Sequence, residues 1–310
     1  MRRKQVLVLV AVVVVLAAAA LVAVFLIRSP GGNESASPPP PGARPAGPVL
    51  VVKIDNVAEA RPATGLGSAD VIYVEPVEGG LTRIAAVFTA NRPAVIGPVR
   101  SARETDLDLL GQYGRPVFAY SGAAPPVVQA LHAAPVSDRV VNASPGDTPD
   151  AYFRQGGNAP HNLYLHPAAL PTSQGTSPEA VLPRGSAPAG GTPATDQTAT
   201  LGGVAFGFHW DGERWQISMS GTPFTSTESG QLSAATVIVQ RVTATTGGLV
   251  GASPVARTIG TGQVTVLRDG QAFHGTWSRP SLTAGTSFAT DSGALLTAAP
   301  GPVWILLAPT

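Results

Sequence analysis

The run Val49-Leu50-Val51-Val52-Lys53-Ile54 holds five apolar residues, four of them β-branched, around a single lysine. β-branching favours extended backbone, and a run without polar alternation predicts a strand covered on both faces. Working outward, Ala69 to Val74 reads as a second strand and Arg83 to Thr89 as a third, with Glu78-Gly79-Gly80 as the turn between them. A helix follows from Ser101 to about Tyr113, then a strand at Pro116 to Tyr120. Pro126 to Ala133 reads as a short helix with proline near its start, and Arg139-Val140-Val141 as one more strand. Such a mixture is α/β or α+β.

The remainder of the chain has a different pattern. Strand candidates lie at Val204–Phe208, Trp215–Met219, Thr236–Val242, Gln263–Arg268 and Val303–Leu307. Asp269-Gly270, between two apolar runs, is a hairpin signal. Between the halves, about Pro167 to Thr200 is rich in Pro, Ser, Thr, Gly and Ala and reads as a boundary or surface excursion. The expected parts are 1–28, an anchor; 29–48, a disordered linker; 49–166, an N-terminal α/β part; 167–200, a low-complexity connection; and 201–310, a β-rich C-terminal part.

Val6 to Ile27 carries no charge, polar side chain, glycine or proline over 22 residues. As a helix this spans about 33 Å, enough for a hydrocarbon core of about 30 Å. A cleaved signal has an apolar region of only about 7–15 residues and a small-residue cleavage site; here Arg28-Ser29-Pro30 follows directly. The expectation is an uncleaved single-pass anchor in the cell membrane. Arg2, Arg3 and Lys4 stay cytoplasmic, so the bulk of the chain is extracytoplasmic. Ser29 to Pro48, with its Pro38 to Pro41 run, reads as a spacer that buries nothing.

Composition narrows the chemistry. There is no cysteine among the 310 residues, which excludes disulfides, thiolate metal sites and a cysteine nucleophile. Net charge is +1; of 20 basic residues, Arg2, Arg3, Lys4 and Arg28 flank the apolar run, and the 16 left face 19 acidic residues. No basic surplus remains for nucleic acid, so no nucleic-acid partner is expected. No phosphate-loop or dinucleotide motif occurs, and no metal or cofactor is expected.

Three stretches could carry function. In Val99-Arg100-Ser101-Ala102-Arg103-Glu104, Ser101 with Glu104 has capping-box spacing. The same helix start, flanked by Arg100 and Arg103 and joined by Arg83 from a neighbouring strand, suits a phosphate or carboxylate. The alternative is a plain cap with surface ion pairs. His161-Asn162-Leu163-Tyr164 could supply an acid/base and polar contacts, or form a turn with buried polar side chains. Asp55, Asp70, Glu75 and Glu78 are carboxylates from which a glycosidase pair could be drawn. Tyr120-Ser121-Gly122 fails the nucleophile-elbow pattern because Ala119 and Ala123 stand at the glycine positions.

Taken in order, Ile54-Asp55-Asn56, Ala69-Asp70-Val71-Ile72-Tyr73, Val77-Glu78-Gly79-Gly80-Leu81-Thr82-Arg83, Ile96-Gly97-Pro98-Val99-Arg100-Ser101-Ala102-Arg103 and His161-Asn162-Leu163-Tyr164 resemble the YerB-like family of bacterial envelope proteins. So do Gly260-Thr261-Gly262-Gln263-Val264, His274-Gly275-Thr276-Trp277 and Pro300-Gly301-Pro302-Val303-Trp304. The resemblance covers roughly residues 50 to 310. It implies an α+β fold, mixed sheets with helices in a layered sandwich, made of two sequence parts. It carries no established reaction. Many family members resemble lipoproteins, whereas this chain would use its apolar helix as the anchor. The expected role is binding an anionic wall ligand through Arg83, Arg100, Ser101 and Arg103, with Asp55, Glu78, His161, Asn162 and Tyr164 nearby. The alternative is a transferase or hydrolase of phosphate-linked or peptidoglycan wall polymers.

Overall fold

The computed structural model describes residues 46–89 and 91–310. The anchor read at Val6 to Ile27 and most of the linker lie outside the described residues; among them no helix is long and apolar enough to cross a membrane. One correction falls at the linker's end. Ala46–Pro48 is a strand, β1, so the spacer stops short of Pro48.

The first half follows the order read from the sequence, with shifted ends. It comprises β2 (Leu50–Asp55), β3 (Val71–Pro76), β4 (Thr82–Phe88), α1 (Glu104–Leu109), β5 (Val117–Ala119), α2 (Pro125–His132) and β6 (Val141–Asn142). A hairpin of β7 (Tyr152–Arg154) and β8 (Leu163–Leu165) follows.

The low-complexity stretch 167–200 carries regular structure. It contains β9 (Gln174–Thr176), β10 (Thr192–Pro193) and the start of β11 (Asp196–Leu201), and β9 pairs antiparallel with β1. Its polar composition hides these strands because each is short or exposes one face: in β11 only Ala199 and Leu201 are buried.

The later strands are β12 (Val204–Trp210), β13 (Trp215–Met219), β14 (Thr236–Val242), β15 (Gly260–Arg268), β16 (Gln271–Arg279), β17 (Ser287–Thr290) and β18 (Val303–Pro309). Asp269 and Gly270, with φ of 52° and 68°, join β15 to β16. Positive φ at both central residues is the tight hairpin geometry that Asp-Gly favours.

Eleven strands form one mixed sheet, in the order β10-β16-β15-β14-β18-β3-β4-β2-β5-β6, with β17 on β16. A smaller five-stranded sheet is built on β11-β12-β13. Side chains alternate across a strand, so each central strand feeds two cores. Leu50, Val52, Ile54, Ile72, Val74, Trp304 and Leu306 pack toward Phe206, Phe208, Trp215 and Ile217 of the small sheet. Val49, Val51, Tyr73, Ala85, Ile305 and Leu307 share the opposite core with Leu109, Tyr113, Val127 and Leu131 from the helical layer. The result is an α+β sandwich of small sheet, large sheet and helices.

Candidate functional site

On the helix side of the large sheet, the apolar face gives way to charge at one end of three adjacent strands. Asp55 at the end of β2 stands opposite Arg83 at the start of β4, and Arg83 stands opposite Glu75 of β3. Lys53 lies two residues before Asp55 and so shares its face.

Two segments close over this row. The stretch after Ile96 runs along the end of β2, where Asp55 N–H donates to Pro98 O at 2.8 Å and Arg100 N–H to Lys53 O at 2.8 Å. That lays Arg100 against Asp55. The β7–β8 hairpin docks on the same stretch, with Val99 N–H donating to Leu163 O at 2.6 Å and Ile96 and Leu165 exchanging backbone bonds. Its turn delivers His161.

Asp55 is the hub. Oδ1 accepts from Arg83 Nη1 at 2.7 Å and from Asn56 N–H at 2.9 Å. Oδ2 accepts from Arg100 Nε at 2.8 Å and from His161 Nδ1 at 2.8 Å. Burial alone would raise its pKa, but Arg83, the His161 bond and Arg100 together hold the carboxyl below its ordinary range. An ionised carboxylate only accepts, which assigns the shared proton to Nδ1 of His161.

Behind the hub, Lys53 contacts both Glu75 and Asp106, all three fully buried. Burial brings Lys53 down to about 8 against the opposing pull of Asp106, and Arg83 and Arg103 lower it further. Arg83 is brought down to about 10, by burial first, with Asp55 opposing. Both directions follow from packing several cations into one desolvated place.

The remaining candidates separate into framework and cleft. Helix α1 begins at Glu104 with Arg103 as N-cap, not Ser101. Asp106, three residues on, accepts Arg103 N–H at 2.7 Å; the Ser101–Glu104 capping box is therefore corrected to an Arg103–Asp106 contact. Asp106 wins because Lys53 already holds its carboxylate at the helix start. Arg103 spends Nε and Nη2 on Glu78 and Nη1 on the carbonyls of Ser101 and Ala102. Glu78 also accepts from Ser253 Oγ at 2.6 Å. Its pKa is lowered, since the bonds from Ser253 and Arg103 outweigh burial.

Asn162 is a turn residue, bonded to Arg154 and to the carbonyls of Gly156 and Gly157. Tyr164 packs beside Phe153, ring centroids 5.9 Å apart, and over Gly97. Asp70 sits at the far end of β3, where it holds Thr89.

A cleft of about 620 Å³ opens beside the hub, lined by Arg100, Ser101, Ser121, Tyr152, Phe153 and Arg154 with prolines and Leu163; none of its lining side chains is a carboxylate. Ser121 reaches it because its N–H donates to Arg100 O. The sequence reading had passed over Tyr152-Phe153-Arg154, whose signal was an aromatic pair next to a cation just before the His161 turn. It had also passed over Lys53 as a site residue; a lone lysine inside an apolar strand was the available clue.

Comparison with known proteins agrees with this architecture. Residues 37–178 match the model described as "Protein of unknown function (DUF3048) N-terminal domain" and residues 195–305 match its C-terminal domain. A stretch of 78 residues is 40% identical to the "Putative lipoprotein YerB" of Bacillus subtilis (strain 168). That match covers 25% of this chain and 23% of the relative. The crystal structure of the Bacillus subtilis YerB protein superimposes with a TM-score of 0.70 at 20% identity, covering 84% of this chain and 90% of the other. At that identity the likeness establishes the fold.

Proposed function

This chain belongs to the DUF3048 family, and from that premise we propose that it is a membrane-anchored envelope protein whose Arg100 cleft binds an anionic, phosphate-bearing wall ligand. One observation carries the reading. Arg100 gives only Nε to Asp55, and among the described residues its two Nη groups have no protein acceptor. They belong to a side chain that lines a cleft without carboxylates. Asp55 is shared by two guanidiniums, so a bound anion would supply the acceptors that the Nη donors of Arg100 lack. Tyr152, Phe153 and the prolines offer apolar surface to the carbon skeleton of such a ligand.

The envelope setting is supported by the relative described as a lipoprotein and by the apolar run Val6 to Ile27. With no cysteine to lipidate, that run is the means of attachment. Calorimetry on the full chain in nanodiscs tests the site, with glycerophosphoglycerol as ligand and glycerol as the uncharged control. Arg100→Ala should weaken glycerophosphoglycerol binding about tenfold or more, as expected for losing a charge-assisted contact worth about 1.5–3 kcal/mol. Its melting temperature should fall, because the buried Asp55 loses one of its two guanidiniums, so affinities are compared well below the variant's own unfolding transition. Unchanged affinity in that variant would sink the reading.

A further inference from the structure

His161 has a feature that anion binding alone does not require. Its Nδ1 is held by Asp55 Oδ2 at 2.8 Å, and that same oxygen holds Arg100 Nε at 2.8 Å. Two nitrogens each 2.8 Å from one oxygen are at most 5.6 Å apart, twice that distance. The imidazole is thus fixed beside the guanidinium that lines the cleft. Among the described residues Nε2 has no hydrogen bond to the protein, and a quarter of the side chain (25%) is exposed. In the neutral imidazole, a proton on Nδ1 puts the lone pair on Nε2. A buried carboxylate orienting a histidine whose other nitrogen is free is the arrangement of a general base.

We propose that the cleft hydrolyses phosphodiesters, with His161 as the catalytic base. The inference rests on the anion-binding reading and adds a reaction to it. Nε2 takes a proton from a water molecule while the water oxygen bonds to phosphorus. The phosphorus–oxygen bond to one alcohol breaks, and the departing oxygen takes the proton back from the imidazolium. One phosphodiester and one water give one phosphomonoester and one alcohol. Arg100 neutralises charge on the non-bridging oxygens as it builds up. Asp55 is a positioning residue: it fixes the tautomer and stabilises the imidazolium, without touching substrate.

The test uses the full chain in nanodiscs with two substrates, bis(4-nitrophenyl) phosphate and glycerophosphoglycerol. In water labelled with oxygen-18, the released 4-nitrophenyl phosphate should carry one labelled oxygen. His161→Gln should lower kcat about 100-fold or more, the lower end of general-base contributions, with KM and calorimetric affinity for glycerophosphoglycerol within about twofold of the parent. Arg100→Ala should raise KM. His161→Asn serves as the second variant if glutamine disturbs the hairpin. A parent that binds glycerophosphoglycerol and cleaves neither substrate overturns the hydrolase and leaves the binding reading standing. Turnover that persists undiminished in both His161 variants also overturns it. A parent that neither binds nor cleaves overturns both.

Discussion

Asp55 couples stability to the site. It is 1% exposed and accepts four hydrogen bonds, two of them from guanidiniums. Asp55→Asn removes the charge and turns an amide N–H toward one of those cations. Breaking a buried charge pair from one side costs about 3–5 kcal/mol, and urea unfolding at neutral pH should show a loss of that order. The sign of the pH dependence follows from the lowered carboxyl. Between the folded and unfolded pKa the unfolded state binds the extra proton, so the contribution is complete above about 3.9 and is lost as pH falls through the folded value. The stability gap between parent and Asp55→Asn should therefore narrow from pH 6 toward pH 3; a constant gap would show that Asp55 titrates alike in both states. At this scale the sequence named the participants, since Asp55, Arg83, Arg100 and His161 were all candidates. It did not distinguish a spent arginine from a free one. Arg100 and Arg103 are three residues apart, and only the partners at the other end, Glu78 and two carbonyls for Arg103, decide which one still has donors to offer.

The first turn of α1 and the β7–β8 hairpin position these side chains. Because Asp106 rather than Ser101 meets the backbone at the helix start, Ser101→Ala should change stability by less than about 0.5 kcal/mol. Asp106→Ala should cost about 3–5 kcal/mol, since it strips one of two carboxylates from the buried Lys53; thermal unfolding of the two variants separates them. The hairpin depends on Gly97. A Cβ there would lie 2.6 Å from Tyr164 Cδ1 and 3.0 Å from Leu163 O, so Gly97→Ala must push away the hairpin that carries His161. Overpacking of this kind costs about 1–3 kcal/mol, and Tyr164→Ala in the same chain should recover part of it in a double-mutant cycle. Central strands such as β2, β14 and β18 were legible because burial on both faces demands a continuous apolar run. β11 was not, because one buried face supplied by Ala199 and Leu201 does not stand out in a polar stretch. The cap was misread because S-x-x-E describes a local exchange, while the competing Asp106 is fixed by Lys53, 53 residues earlier.

At the scale of the whole molecule, the two sequence parts share one sheet. β18, near the end of the chain, runs parallel between β14 and β3, with seven paired residues on one side and four on the other. Composition suggested a boundary between the halves, but strand pairing joins residues more than 200 positions apart, such as Val71 and Val303, and no local pattern records it. Separating the halves would expose the edges of β3 and β18, both buried almost throughout. Unpaired apolar edges of that kind aggregate. The connection between the halves can nevertheless be cut, because Ala189 and Gly190 are exposed and a Cβ at Gly190 would meet nothing within 4 Å. A protease site inserted between Ala189 and Gly190 should therefore be cleaved in the folded protein. The two fragments should still elute as one species from a sizing column and unfold in a single urea transition, whereas either fragment expressed alone should be recovered as aggregate. Two peaks after cleavage, each unfolding cooperatively, would mean that the β3–β18 junction contributes little and that the halves are independent domains.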